Sequence, residues 1–542
     1  MLENCVDWPA EFADKYRAKG YWQDINLYQH FCGLVERFGD QEAIVFQEQR
    51  LTFNQLLRQI DSAAAALSEC GLKAGERVVF QLPNCPEFIV TFYALLKIGV
   101  IPVMALPPHR ETEIKHFVNH AGAVAYFFPA QLRDFDYREM AENVRNECPS
   151  LKHLFVLGEA RKDQQSLADF FNGSASTSST SLVPASEVAF MLLSGGTTAL
   201  PKLIPRTHND YLFNLLQAAI AGGLSAGVTF MAALPMAHNY TLGCPGFLGA
   251  LAYGGRVVIA TALDPETIFS LVEQEKINVI PAAIPLIVNW LNSDIPELFD
   301  LSSLNLITNG GAKLQPELRQ QLEQKFSCIF QEIYGTAEGL LNFTPLDGPD
   351  DVRFNSSGKP LSADDEIKII DDDGNELSEG ELGELVVRGP YTIRGYYNAP
   401  ENNANGFTDD GYYKMGDLVR LKDGYLYCEG RTKDLINRGG EKISCDEVEK
   451  HMLANSKIKS AALVAMPDPV FGEKACAFVI LQPDQSLDLE DLKNYLLAQK
   501  IAKFKLPERL EIADGFPISP AGKILKKELR QIIAAKLEQE SA

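Results

Sequence analysis

The sequence predicts an α/β multidomain protein: a large N-terminal domain of two βαβ-type sheet lobes plus a small β-barrel, then a small α+β C-terminal domain. Three observations carry this. The chain has 542 residues, more than one hydrophobic core organises, so several domains are expected. From about residue 40 to residue 340, short apolar runs alternate with helix-like patterns, which implies βαβ units and a mainly parallel sheet. Between about 345 and 432 the pattern changes to short strands separated by Asp373-Gly374, Glu379-Gly380, Asp410-Gly411 and Asp423-Gly424, the signature of a small antiparallel sheet or barrel.

Taken in order, residues 77–82 read as a strand, 87–98 as a helix and 100–105 as the next strand. Residues 172–181 are a Ser/Thr-rich, solvated loop. The apolar run 188–193 is a buried strand. Further strands are expected at 255–260, 278–282 and 304–308, with a helix at 265–275. The mixed α/β tail after Asp434 is long enough to be its own domain. The expected boundaries are 1–432 for the N-terminal core and 433–542 for the C-terminal domain.

Composition bounds the function. Apolar content of 46% and charged content of 23% are those of a soluble globular protein, and no apolar run reaches the roughly 18 residues a membrane helix needs. The N-terminus, Met1-Leu-Glu-Asn-Cys-Val-Asp-Trp8, lacks a basic segment and an apolar core, so a cytoplasmic protein without a signal peptide is expected. The ten cysteines contain no C-x-x-C pair, which favours reduced thiols over a disulfide frame or zinc site. A net charge of −22 argues against a nucleic-acid partner. Residues 434–542 hold 16 basic and 17 acidic side chains, so nearly all the excess acid lies earlier.

The run 188–193 leads into Leu193-Ser-Gly-Gly-Thr-Thr-Ala-Leu-Pro-Lys202. Glycines allow close backbone approach, successive N–H groups can nest an anion, and Ser194, Thr197, Thr198 and Lys202 add donors and charge. This is a phosphate-handling loop. It is not the common G-x-x-x-x-G-K-[ST] loop, because Pro201 precedes the lysine and no Ser or Thr follows it. A second glycine turn, Asn309-Gly-Gly-Ala312, also follows a strand, and ligands of open α/β sheets bind beyond such strand ends.

More motifs follow in a fixed order: His238-Asn-Tyr240, Asn309-Gly-Gly-Ala312, Tyr334-Gly-Thr-Ala-Glu338 and Arg388-Gly-Pro390. Then come Gly411-Tyr-Tyr-Lys-Met-Gly-Asp417, Glu429-Gly-Arg-Thr-Lys-Asp434 and Pro517-Ile-Ser-Pro-Ala-Gly-Lys-Ile524. Together with the phosphate loop this series resembles the adenylate-forming superfamily of acyl-CoA synthetases, peptide-synthetase adenylation domains and luciferases. The resemblance covers the whole chain. Trp8-Pro-Ala-Glu-Phe12, Gly20-Tyr-Trp-Gln-Asp24, Ile204-Pro-Arg-Thr-His-Asn-Asp210 and His238-Asn-Tyr240 look like the stand-alone siderophore enzymes that activate 2,3-dihydroxybenzoate or salicylate.

The resemblance implies ATP and Mg²⁺ as cofactors, an aromatic acid as substrate and a phosphopantetheinylated aryl carrier protein as partner. It assigns the β- and γ-phosphates to Ser194, Gly195, Gly196, Thr197 and Thr198, with Lys202 nearby, and Mg²⁺ to Glu338. Gly310, Gly311, Tyr334, Gly335 and Thr336 would surround the adenine, and Asp417 and Arg431 the ribose and phosphate side. Lys523, Lys202 and His238 are the catalytic candidates, Lys523 bridging carboxylate and α-phosphate as charge builds up. His238, Asn239, Tyr240, Cys244, Ala312, Ile333, Ala337 and Leu341 would line the aryl site. The small C-terminal domain would be mobile, turning about Lys433 between an adenylating and a thioester-forming pose, with Gly439-Gly440 facing the incoming thiol arm.

The chain departs from the family pattern at two places. The phosphate loop carries Ala199-Leu200 where Gly-Thr is usual; if position 199 needs φ > 0, alanine costs on the order of 1 kcal/mol. Dihydroxybenzoate enzymes typically place Ser at the position of Cys244 and Val at that of Leu341. A weak thiol donor and a larger side chain lean towards salicylate, whereas whole-chain resemblance puts dihydroxybenzoate first. An aryl- or acyl-CoA synthetase using free coenzyme A is the nearest alternative. A catalytically silent binder of acyl-adenylates is a third, opposed by the presence of Glu338, Asp417, Arg431 and Lys523.

Overall fold

The structure, a computed structural model, describes residues 2–171, 182–194, 200–311, 313–431, 434–438, 441–468, 471–499, 501, 503–519 and 523–541. Two compact units emerge: Met1–Ser194, Leu200–Glu366 and Val387–Tyr413 form one, and Ile367–Val386 with Lys414–Ala542 the other.

The first unit holds two large sheets and a small two-stranded one, Gln131–Leu132 with Phe135–Asp136. In the seven-stranded one, Arg77–Phe80 lies at the centre between Ile101–Met104 and Ala125–Pro129, all parallel. Val188–Leu193 adds in parallel, and Leu203–Thr207 closes that edge antiparallel. The helix Pro86–Lys97 starts with a proline in its first turn, where no N–H partner is needed, and it is apolar on all sides because it lies inside the unit. Val79, Val103, Phe117, Tyr126, Phe128 and Val156 form the core beside this sheet.

The nine-stranded sheet runs through Thr229–Ala232, Arg256–Ile259, Val279–Ala282, Leu306–Gly310 and Ile329–Thr336, paired in parallel. Gly339–Phe343 turns back antiparallel on Ile329–Thr336. Its core gathers Met231, Val258, Phe269, Ile280, Trp290, Ile307 and Phe330. The helix Pro265–Glu275 begins at Asp264, whose side chain accepts from Thr267 N, as its Asp-Pro start dictates. One element departs from the linear reading. Glu42–Phe46, from near the start of the alternating stretch, pairs in parallel with Arg256–Ile259 of the second sheet (Ile44 opposite Val257).

The second unit contains an antiparallel hairpin, Tyr413–Lys422 with Tyr425–Arg431, at the edge of a four-stranded sheet. Asp423 and Gly424 both have positive φ, 52° and 75°, the two-residue turn whose twist suits a hairpin. A second sheet is built on the long hairpin Ile458–Asp468 and Gly472–Leu481, with Arg509–Ile512 alongside in parallel. The helices Cys445–Leu453 and Leu489–Ala498 cover it through Val448, Met452, Leu492 and Leu496. Among the described residues no helix is long and apolar enough to cross a membrane.

Candidate active site

The phosphate loop is anchored at its stem. Leu193 and Leu203 pair across the antiparallel edge, Ser194 N donates to Lys202 O, and Lys202 N donates to Ser194 Oγ, both at 3.0 Å. Gly195, Gly196, Thr197, Thr198 and Ala199 lie outside the described residues, as do Ala312, Lys433 and Gly439-Gly440. Lys202 places its Nζ 3.8 Å from the centre of the Tyr396 ring, a close cation–π contact.

Glu338 sits at the tip of the hairpin formed by Ile329–Thr336 and Gly339–Phe343, buried, with its backbone carbonyl accepting from Ile393 N at 2.8 Å. Its Oε1 accepts from the Tyr396 hydroxyl at 2.9 Å. The turn depends on glycine. A Cβ at Gly335 would fall 2.2 Å from the Leu340 carbonyl oxygen, and Gly339 has φ of 133° with Thr392 Cα 2.4 Å from where its Cβ would stand. Thr336 Oγ1 donates to Gly339 O at 2.9 Å and closes the tip.

The second glycine turn ends the strand Leu306–Gly310, and Gly311 follows with φ of 92°. Behind it Asn309 Nδ2 donates to Glu332 Oε1 at 2.9 Å, and Arg319 Nη2 lies 3.0 Å from Glu332 Oε2. Burial pushes the Glu332 carboxyl up against the pull of Arg319. A buried ion pair therefore holds the turn expected to meet adenine. Tyr334, on the same hairpin, is half-exposed beside it.

The aryl candidates mostly converge. Tyr240, Cys244, Ile333 and Leu341 belong to one apolar cluster with Tyr16, Trp22, Phe213 and Tyr391. Asn239 is buried at its polar end: Tyr211 OH donates to its Oδ1 at 2.8 Å, and its Nδ2 donates to Cys244 Sγ at 3.2 Å. Tyr240 shares a 2.5 Å hydrogen bond with Thr308 and lies against Gly310, whose Cβ would meet its ring at 3.1 Å. Aryl and adenine candidates thus adjoin at Gly310. His238 differs from the others: it is exposed, and its Nδ1 accepts from Tyr240 N at 3.3 Å as the cap of the turn Asn239–Gly243.

Residues 204–210 supply a buried support that their motif did not reveal. Arg206 Nε donates to Asp210 Oδ1 at 2.7 Å, and both side chains are sealed from solvent. The guanidinium also donates to Ala337 O at 3.0 Å and Tyr391 O at 3.2 Å. It therefore ties the helix His208–Ala221 to the Glu338 turn and to the wall of the apolar cluster. Tyr391 extends that wall: its hydroxyl accepts from Leu341 N at 3.1 Å and donates to Asp365 Oδ2 at 2.7 Å.

Asp365 Oδ1 is shut off from solvent without a hydrogen-bond partner among the described residues, and burial pushes this carboxyl up to about 7. The folded chain holds a proton there that an unfolded aspartate has already lost. The resulting stabilisation is present below the ordinary pKa of 3.8 and is lost as pH rises through about 7. Asp365→Asn should therefore gain thermal stability relative to wild type between pH 5 and pH 8. A gap between the two melting temperatures that does not widen with pH would refute the shifted carboxyl.

Asp417 and Arg431 face each other across the second unit's hairpin, with Arg431 Nε 2.9 Å from the Oδ1 of the buried Asp417. Lys523, in the same unit, is bracketed by Ser519, which donates its N–H to Lys523 O at 2.7 Å and accepts from Lys523 N through Oγ at 3.1 Å.

The site residues missed from sequence are Tyr396, Arg206, Asp210 and Tyr211. The Arg206–Asp210 pair carried an i, i+4 charge signal. Tyr396 had none beyond its place in Arg394-Gly-Tyr-Tyr397.

Within the first unit, a loop stem at a strand end and a buried acid at a hairpin tip meet at Tyr396, and a glycine turn adjoins the apolar cluster. Comparison with known proteins places the chain in a class that handles AMP. It belongs to the AMP-binding enzyme family, whose profile matches residues 33–397, with the AMP-binding enzyme C-terminal domain at 447–523. It is 42% identical over 538 residues to the 2,3-dihydroxybenzoate-AMP ligase of Bacillus subtilis (strain 168), covering 99% of both chains. It is 40% identical over 549 residues to a salicylyl-CoA synthase / salicylate adenylyltransferase of a Streptomyces species, covering 100% of this chain and 99% of the relative. Among solved structures the apo form of Mycobacterium smegmatis MbtA matches with a TM-score of 0.76 and 37% identity, covering 97% of this chain and 98% of that one.

Proposed function

We propose that the protein joins an ortho-hydroxylated aromatic acid, 2,3-dihydroxybenzoate or salicylate, to AMP, and then passes the aryl group to the phosphopantetheine thiol of an aryl carrier protein in siderophore synthesis. The observation that carries this is the buried Asn239 amide at the edge of the apolar cluster of Tyr240, Cys244, Ile333 and Leu341. A flat ring fits the cluster, and an amide at its rim can recognise a hydroxyl on that ring. Relatives named for dihydroxybenzoate and for salicylate support the same class.

In the first step a substrate carboxylate oxygen bonds to the α-phosphorus of ATP as the bond from that phosphorus to the bridging oxygen breaks, and pyrophosphate leaves. Such a transfer needs positioning and charge neutralisation more than covalent help. Ser194 and the loop to Lys202 would hold the departing phosphates, Asp417 and Arg431 the ribose side, and Lys523 the carboxylate and α-phosphate. In the second step the thiol sulfur attacks the acyl carbon, its proton is lost and AMP departs. Lys433 is the pivot proposed to turn residues 433–542 between the two steps, and Gly439-Gly440 would face the thiol arm.

Mg²⁺ fits the residues present. Glu338 offers one buried carboxylate whose Tyr396 partner is a neutral hydroxyl. Mg²⁺ typically takes one or two carboxylates and completes its shell with phosphate oxygens and water. When bound it would offset polyphosphate charge. The reaction is assigned to the cytoplasm, where ATP and carrier proteins meet.

The test is aryl-dependent ATP–pyrophosphate exchange across salicylate, 2,3-dihydroxybenzoate, benzoate and a fatty acid. Exchange confined to the two hydroxylated acids is expected; preference for benzoate or the fatty acid would overturn the reading. Coenzyme A is the second candidate acceptor, favoured by the name of the Streptomyces relative. Thioester formation with coenzyme A against an aryl carrier protein separates the two. Cys244 and Leu341 set the choice of acid in this reading. Cys244→Ser with Leu341→Val should raise the kcat/KM ratio of dihydroxybenzoate over salicylate about tenfold, the size of a one-methylene change in a pocket. An unchanged ratio would place the discrimination elsewhere.

A further inference from the structure

We propose that Tyr396 is a positioning residue of the adenylation site, its hydroxyl orienting the Glu338 carboxylate and its ring face seating the Lys202 ammonium for MgATP. The proposal rests on the adenylating reading above. Lys202 and Glu338 come from different elements, the loop stem beside Leu203–Thr207 and the hairpin tip before Gly339–Phe343. One side chain meets both: Lys202 Nζ is 3.8 Å from its ring centre, and its hydroxyl reaches Glu338 Oε1 at 2.9 Å.

Tyr396 is itself firmly held. It is 1% exposed, and Phe407 and Tyr413 pack edge-on against its ring at 6.1 and 6.4 Å. Asn403 clamps its backbone from both sides, its Oδ1 accepting from Tyr396 N at 2.7 Å and its Nδ2 donating to Tyr396 O at 3.0 Å. The Tyr413 hydroxyl lies 3.3 Å from that of Tyr396. A tyrosine phenol keeps its proton at neutral pH, so it acts here as a donor. A phenylalanine would fill the same volume without burying a hydroxyl, so the oxygen matters for what it holds.

The consequence concerns nucleotide binding. The phenol fixes which carboxylate oxygen faces it and leaves the other for a cation. The ring holds a cation by its quadrupole alone, a softer grip than a carboxylate's.

Tyr396→Phe removes one oxygen and keeps the seat for Lys202. Calorimetric binding of MgATP without aryl acid should weaken about tenfold, and the Mg²⁺ concentration for half-maximal exchange should rise by a similar factor. The KM for aryl acid should stay within about twofold. Tyr396→Leu should weaken MgATP further by removing the ring. Asn403→Ala, which frees the Tyr396 backbone and leaves its ring intact, should give the same split on a smaller scale. MgATP affinity within twofold of wild type in Tyr396→Phe and Asn403→Ala would overturn the proposal. So would equal losses for ATP and aryl acid, the mark of a merely structural residue. Absence of ATP binding in the wild type would instead overturn the adenylating reading.

Discussion

Replacing Lys523 with alanine is expected to lower aryl-dependent ATP–pyrophosphate exchange by about 100- to 1000-fold, the usual loss when one preorganised donor to a developing charge is removed. Thioester formation from a preformed aryl-adenylate should stay within a few fold. The asymmetry follows from where charge builds. In the first step a carboxylate and a phosphate, both anionic, approach each other; in the second a thiol meets a neutral acyl carbon. The neighbouring cations do different work. Lys526 lies 2.9 Å from Glu449 and 3.1 Å from Asp446, and Arg530 lies 3.3 Å from Asp434, so both belong to ion pairs of their own domain. Lys523 precedes their helix, on backbone fixed by Ser519. Equal loss of both half-reactions would remove the proposed role.

Replacing Arg206 with alanine should lower folding stability by about 3–5 kcal/mol, because it leaves the Asp210 carboxylate buried without its cation. Thr207 N and Oγ1 still donate to Asp210 Oδ2 at 2.6 and 2.7 Å, but hydrogen bonds alone do not balance a sealed charge. Burial already pushes the Asp210 carboxyl up while Arg206 pulls it down, so loss of the arginine should make it take up a proton. The Ala337 and Tyr391 carbonyls lose their donor at the same time. Arg206→Met with Asp210→Leu should recover most of the stability, since replacing a buried pair with apolar groups is often neutral. Denaturant midpoints decide. A loss below about 1 kcal/mol for Arg206→Ala would make the pair no more than a surface-type contact.

The fold was legible where burial forces an apolar run. The strand at 188–193 and the helix at 265–275 stand where the pattern places them, and the expected strands at 77–82, 255–260 and 278–282 differ at their ends by one or two residues. Pairing was less legible. Nothing in residues 42–46 says that Ile44 will lie opposite Val257, because the parallel partner is chosen by the whole chain's path. The candidate site divides similarly. Glu338, Asp417 and Lys523 stand out because their motifs are specific in type and order. Tyr396 does not, since it acts on residues 58 and 194 positions away; Arg206 shows only its i, i+4 partner Asp210 in sequence, while Ala337 and Tyr391 lie 131 and 185 positions on.

The apolar cluster around the aryl candidates draws on residues near the start of the chain. Ala13, Tyr16 and Trp22 contribute to it, Trp8 and Phe12 pack against it, and Trp22 Nε1 donates to Pro390 O at 3.0 Å. Asp24 then fastens the segment by accepting from Asn209 Nδ2 at 2.8 Å. The family profile begins only at residue 33. Part of the cluster around the aryl candidates is therefore built from residues that the family profile does not reach. Removing the residues before 33 would thus expose one side of that cluster while leaving the profiled region whole.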